Sequence, residues 1–317
     1  SLPAIALGQV GRFQPLGPTV VGGTAKVAQT GANFLQIGVS ARTAGMAGAF
    51  VALANDASAV FYNPGAISRL EGMQSMFTHT TLPAEIKHFF GSFVYPLAGD
   101  MGTIAFHTVV LTTGEMPVTR SYVGPTGETF SNSEVAAGMT YSRNLTDRFS
   151  VGGTVKYIQQ NLSGFVARSF AADFGTYFLA GFRDLRFGMT VRNFGPDMTF
   201  GTIKEIGFDS QDYPLPMDFR FGAAMTLYEY NDSNLMFSFE LSQPNDNLRR
   251  ENVGLEYTFM DMLFVRGGYK LEYDGEDYAV GTGLKVPVGE YSTTFDASWQ
   301  HSEYLNDLIK FSVGFAF

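Results

Sequence analysis

The chain has 317 residues, with 21 Lys+Arg against 30 Asp+Glu, a formal net charge of −9 and no cysteine. These numbers exclude a disulfide framework and a Cys-ligated zinc or iron–sulfur centre, and an acidic balance without a basic tract argues against a nucleic-acid partner. Charged residues are only 16 % and hydrophobic residues 45 %, with 36 Gly, 30 Phe and 15 Tyr, whereas soluble domains carry roughly 25 % charged residues; a membrane β-barrel, which divides apolar and polar residues along alternating strands, has this profile.

The longest largely apolar runs, such as 44–54 and 89–97, fall far short of the ~20 residues a transmembrane helix needs. The opening Ser1-Leu2-Pro3-Ala4 shows no basic region followed by an apolar core, so no signal peptide is visible and a mature N-terminus after export is expected.

Residues 1–31, rich in Gly, Pro, Val and Thr, read as an extended arm. Small residues dominate 34–67, where Asp56 is expected to cap a short helix over 57–62 that Pro64 stops. A segment this rich in small residues suits a lumen, where backbone must approach the wall closely. Residues 1–72 are therefore expected to form an arm and a hatch inside or beneath a barrel of residues 73–317. The hatch residues singled out are Arg42, Gly45, Met46, Gly48, Asn55, Asp56, Asn63 and Pro64. Arg42, buried in a lumen, would need a carboxylate, and Asp56 is the nearest in sequence.

From Met73 onward the dominant period is two. At the end of the chain Ile309, Phe311, Val313, Phe315 and Phe317 alternate with Lys310, Ser312, Gly314 and Ala316. Leu263, Val265, Tyr269, Leu271 and Tyr273 likewise alternate with Arg266, Gly268, Lys270 and Glu272. Alternation alone also fits a soluble sandwich, but strand length and connection length separate the two. Strands are predicted over 74–80, 86–96, 101–112, 134–145, 148–160, 167–181, 184–195, 217–228, 234–243, 250–260, 262–273, 277–287, 290–301 and 307–317, fourteen in all. Most exceed the 5–6 residues usual in soluble sheets. The long connections, 113–133 and 196–216, both follow odd-numbered strands, and short turns follow even-numbered ones. Outer-membrane barrels sort their connections in this way, with short periplasmic turns and longer extracellular loops. The expected fold is all-β, a transmembrane antiparallel β-barrel of about 14 strands with an N-terminal hatch, in the bacterial outer membrane with periplasmic termini. Phe317, an aromatic end to an amphipathic strand, looks like the signal read by barrel-insertion machinery.

The two long loops carry apolar groups in polar surroundings, Met116, Tyr122, Phe130, Met198, Phe200, Phe208 and Tyr213, which could form a partner surface or pack on each other as a lid. Lumen-facing Arg186, Arg192, Arg220, Glu240, Glu256, Arg266, Lys270, Glu272, Lys285 and Asp296 read as internal ion pairs, or alternatively as a substrate path. His79, His88, His107 and His301 have no metal-binding spacing. The groups Asp274/Glu276/Asp277 and Asp209/Asp212 do not match a calcium loop. No catalytic constellation, cofactor or metal is expected; lipid or detergent in the lumen or on the wall is the one ligand class anticipated.

The stretch from Phe34-Leu35-Gln36-Ile37-Gly38 through Ala41-Arg42-Thr43-Ala44-Gly45-Met46 to Tyr62-Asn63-Pro64-Gly65 resembles the motif that precedes the barrel in the PorV/PorQ family. Two departures are Phe61-Tyr62-Asn63 for Tyr-Trp-Asn and Gly65-Ala66 for Ala-Gly. The Asn-Asp-Ala…Tyr-Asn-Pro theme is shared with the wider FadL-like superfamily of fatty-acid transporters. The PorV resemblance implies a carrier of the type IX secretion system that binds a SprA-type giant translocon barrel and the C-terminal domains of exported cargo. Other attachment-complex proteins and outer-membrane lipid would be further partners. The wider resemblance implies a transporter of hydrophobic small molecules.

Overall fold

The computed structural model describes residues 29–120, 124–163, 165–201, 211–273 and 275–317. Fourteen strands close into one antiparallel barrel: β1 (Gln74–Thr81), β2 (Lys87–Pro96), β3 (Thr103–Thr112), β6 (Ser133–Asn144), β7 (Phe149–Leu162), β8 (Phe165–Leu179), β9 (Arg186–Phe194), β12 (Asp218–Tyr230), β13 (Ser233–Pro244), β14 (Arg250–Phe259), β15 (Leu263–Leu271), β16 (Tyr278–Val288), β17 (Tyr291–Gln300) and β18 (Leu308–Ala316). Each strand pairs with its sequence neighbours in the barrel. β1 closes on β18 through a register from Gln74↔Ala316 to Thr81↔Ile309, which leaves no free edge.

Period-two alternation sets the two faces. On β18, Ile309 and Phe311 are 48 % and 57 % exposed on the outside, while Lys310 and Ser312 are 3 % and 2 % exposed within. Exposed outward aromatics gather at both rims, Tyr95, Tyr141, Tyr230 and Tyr291 at one and Phe89, Phe194, Tyr269 and Tyr278 at the other. That is the girdle arrangement of a membrane barrel.

Three local readings need correction. Each long connection contains a strand pair outside the barrel, β4 (Met116–Arg120) with β5 (Gly124–Phe130) and β10 (Met198–Phe200) with β11 (Gln211–Tyr213). These strands are too short and too polar to carry a periodic signal. Alternation on β15 ends at Leu271, because Glu272 adopts φ 61° and turns the chain, so Tyr273 faces the lumen cavity instead of continuing the outer face. The short helix α2 covers Ala59–Tyr62 behind Ser58, after α1 (Ala41–Gly45). Asp56 does not cap it; its Oδ1 accepts from the Ser58 N–H and Oγ at 2.9 and 2.5 Å, a local turn two residues upstream.

Residues 29–72 run through the lumen. At the end carrying the long connections, Gly31 N–H donates to the Pro214 carbonyl and Ala32 N–H to Gln160 Oε1, both at 2.9 Å. At the short-turn end, Arg69 donates to the carbonyls of Thr146 and Asp147, and Phe317 N–H donates to Met73 O at 2.8 Å. Between these ends, Leu35, Phe50, Leu53, Val60, Phe61 and Ile67 form one buried cluster with inward Phe90, Val94, Val109 and Ile158 of β2, β3 and β7. One sector of the lumen is thus largely apolar, and most of the charged side chains collect on β9 to β18, with the buried Lys156–Asp173 pair of β7 and β8 lying outside that sector.

Candidate functional site

The wall admits the inner segment through cross-strand glycine pairs. Gly152↔Gly175 joins β7 to β8, Gly188↔Gly222 joins β9 to β12, and Gly254↔Gly268 joins β14 to β15. Every one of these glycines points inward onto inner-segment backbone. A Cβ on Gly152 would lie 2.3 Å from Pro64 O, one on Gly188 2.4 Å from Val51 O, and one on Gly268 2.4 Å from the Met46 carbonyl carbon. Backbone therefore meets backbone at three places around the circumference, which any side chain would prevent. The Asn63 amide extends this seam by donating to Val51 O and Thr176 O at 3.0 Å, while its oxygen accepts from Gly65 N–H.

Charged contacts lock the same segment. Arg42 Nε and Nη2 donate to both oxygens of Glu256, at 2.8 and 2.7 Å, and Nη1 reaches Asn55 Oδ1 at 2.6 Å and Asp56 Oδ2 at 3.1 Å. Glu256 Oε2 also accepts from Arg266 Nε at 2.5 Å, and Arg266 Nη1 donates to Asp296 Oδ1 at 2.5 Å. Burial works against the charge on Arg42, and the carboxylates of Glu256 and Asp56 compensate it. Nearby, Glu240 on β13 accepts the N–H groups of Phe50 and Val51 at 2.9 Å and pairs with Arg220 at 3.1 Å. Asp218 takes the other side of Arg220 at 2.5 Å.

Above this seam a cavity of about 920 Å³ lies between the inner segment, the wall and the long-loop end. Its wall carries Arg192, Arg220, Arg250, Lys270 and Lys310, with Glu272 and Glu276; Leu82, Ile86, Leu248 and Leu305 come from the connections at its mouth. Tyr62, on α2, closes part of its floor and accepts from Val39 N–H at 2.8 Å. A second, smaller cavity of about 510 Å³ lies among Asn33, Glu134, Gln160, Phe165, Phe200 and Tyr213.

The predicted site residues separate into two groups. Arg42, Gly45, Met46, Gly48, Asn55, Asp56, Asn63 and Pro64 all fall on the inner segment. Gly45 abuts Gly281 and Gly48 abuts the Asn252 amide. The loop residues do not form one surface. Met116 and Phe130 are half-buried register partners on β4 and β5. Met198 is wholly buried against Gly31, so it belongs to the packing beneath the loop rather than to an exposed patch. Phe200 stacks edge-on against Tyr213 at 5.9 Å; Tyr122 and Phe208 lie outside the described residues, as do Asp209 and Asp274. Arg186 pairs with Asp184, and Glu272 and Lys285 sit exposed at strand ends. Among the described residues no group of three His, Asp or Glu is placed to hold a metal. The sequence alone does not pair these glycines because pairing depends on register; single glycines on the polar face, Gly254, Gly268, Gly281 and Gly283 of β14 to β16, are the signal it carries.

No family model and no curated protein matches this sequence. Similar solved structures include the toluene transporters TbuX of Ralstonia pickettii and TodX of Pseudomonas putida. Each is 12 % identical with a TM-score of 0.59, covering 88 % of this chain and 97 % and 98 % of theirs. A Pseudomonas aeruginosa FadL homologue is also 12 % identical, with a TM-score of 0.54 over 93 % of this chain and 99 % of that one. At this identity the likeness is one of fold, and it spans nearly the whole of each chain: this protein shares the architecture of FadL-type outer-membrane barrels.

Proposed function

We propose that this protein is an outer-membrane barrel that takes hydrophobic or amphiphilic small molecules from the long-loop side into its lumen. The observation carrying this reading is the cavity of about 920 Å³ at the long-loop end, set in a fold shared with toluene transporters. Its apolar mouth and polar floor suit a ligand that presents an apolar body and a polar end. In this reading the long connections face outward, the short turns face the periplasm, and residues 29–72 act as a hatch. The test compares a deletion strain with its complemented counterpart for accumulation of radiolabelled decanol. Faster uptake on complementation supports the reading, and equal rates overturn it.

A second reading, carriage of secreted proteins in a type IX system, has one structural observation in its favour. The inner segment is fastened around the circumference by three glycine pairs and two arginine–carboxylate networks, so a surface role needs no passage through the lumen. Affinity purification from native membranes separates the two. Recovery of a giant translocon barrel or of cargo C-terminal domains would establish the carrier role.

A further inference from the structure

The smaller cavity, about 510 Å³, differs from the large one in the charge on its walls. Arginines and lysines line the large cavity. Among the described residues the smaller one is lined by a single charged group, the carboxylate of Glu134, and by no cation. Its volume lies within the range of about 300–1,000 Å³ usual for pockets that take small organic molecules.

Sheet register places Glu134 there. On β6 it lies between Leu111 of β3 and Gln160 of β7, its two register partners, and shares their inward face. Gln160, 5 % exposed, is already engaged: its Oε1 accepts from Ala32 N–H at 2.9 Å, and its amide nitrogen donates to the Glu134 side chain. That one neutral donor leaves unused most of a carboxylate's acceptor capacity of about four lone-pair sites. Glu134 is half-buried, and no Lys, Arg or His among the described residues pairs with it. Withdrawing a carboxylate from water is costly unless a cation accompanies it.

The rest of the lining is mostly apolar and rich in rings. Leu162 and Phe165 are register partners at the long-loop ends of β7 and β8, two residues beyond the Gln160 position. Phe200 and Tyr213, edge-on at 5.9 Å, belong to the β10–β11 pair outside the barrel. The barrel wall thus supplies the carboxylate and the loop supplies two of the three rings. Ala32 and Gln160 are buried at the base, whereas Phe165 and Gly201 are exposed, so the cavity opens at the long-loop end. A neutral ligand here would leave Glu134 without a countercharge, and an anion would be repelled by it. An ammonium group makes a charge-assisted contact with the carboxylate and is attracted to aromatic rings as well.

We infer that the smaller cavity binds an organic ammonium ion, with Glu134 as its counter-ion and Phe165, Phe200 and Tyr213 around its apolar body. This goes beyond the uptake reading, which concerns the larger cavity, and its failure leaves that reading standing. The test is calorimetric titration of the purified full chain, in a neutral detergent at neutral pH, with three compounds that share one apolar body: phenylbutylamine, phenylbutanol and phenylbutyrate. The amine should bind at least about tenfold more tightly than the alcohol, because hydrogen bonds to charged groups exceed neutral ones by about that factor, and the carboxylate should bind least. Glu134→Gln should bring the amine down to the affinity of the alcohol while leaving the alcohol unchanged. Phe200→Leu, on a strand outside the barrel, should weaken the amine about threefold and the alcohol little, since leucine keeps the apolar contact and loses the ring; it keeps the test open if Glu134→Gln fails to assemble. Equal affinity for amine and alcohol, undiminished binding of the amine by Glu134→Gln or by Phe200→Leu, or no saturable binding of the amine overturns the inference.

Discussion

Glu256 on the barrel wall grips Arg42 on the inner segment through two hydrogen bonds of 2.7 and 2.8 Å, across 214 positions of sequence. The same carboxylate holds Arg266, so one acidic side chain ties the lumen contents to the wall and organises two buried guanidiniums.

Removing either partner should therefore have different consequences. Arg42→Ala leaves Glu256 still paired with Arg266, so the barrel should fold while the inner segment loosens. Vancomycin sensitivity of cells producing this variant should rise above wild type, and unchanged sensitivity would show that the other fastenings suffice.

Glu256→Gln removes one countercharge from each of two arginines at once, leaving Arg42 with Asp56 and Arg266 with Asp296. Breaking a buried ion pair by removing one partner costs about 3–5 kcal/mol. The urea midpoint of the purified variant should fall by more than that of Arg42→Ala, and the reverse order would refute the shared role of Glu256.

Neighbouring glycines on β15 give a matched pair. Gly268 faces inward, where a Cβ would lie 2.4 Å from the Met46 carbonyl carbon, and Gly267 faces outward with nothing within 4 Å. Gly268→Val should displace the inner segment and lower the thermal midpoint, whereas Gly267→Val should be close to neutral. Equal effects would mean that the close approach is not what demands glycine.

A further buried pair, Lys156 with Asp173 at 2.8 Å, is 2 % and 1 % exposed. Asp173 Oδ1 also accepts from Asn193 N–H at 2.7 Å, where Asn193 adopts φ 58° and the register of β8 with β9 shifts. Asp173→Asn should cost about 3–5 kcal/mol and release this bulge, read as accelerated amide exchange at residues 191–194. Exchange rates equal to wild type would assign the bulge to backbone packing alone.

Phe317 stacks edge-on with Tyr291 at 5.6 Å at the short-turn rim. Phe317→Ser should reduce the fraction of protein that reaches the heat-modifiable, assembled form on a gel. A wild-type fraction would remove any role in insertion.

Strand placement was largely legible because side-chain direction along a strand is local: each residue reports its own face, whatever its partners. All fourteen predicted barrel segments overlap observed barrel strands, with ends differing by a few residues where the last residue leaves the ladder, as at Glu272. Arg42 shows where locality stops. Asp56, the nearest carboxylate in sequence, does contact it at 3.1 Å, but the two-pronged partner is Glu256, which no sequence separation announces. Low charge, period two and connection parity together determined an all-β transmembrane barrel, its strand number and the small-residue character of what lies within. Which glycines face each other, which carboxylate holds which arginine, and which rings share a cavity with Glu134 were decided only in the tertiary structure. Register and closure are long-range: sliding one strand by two residues preserves every alternation in the sequence yet exchanges every cross-strand partner.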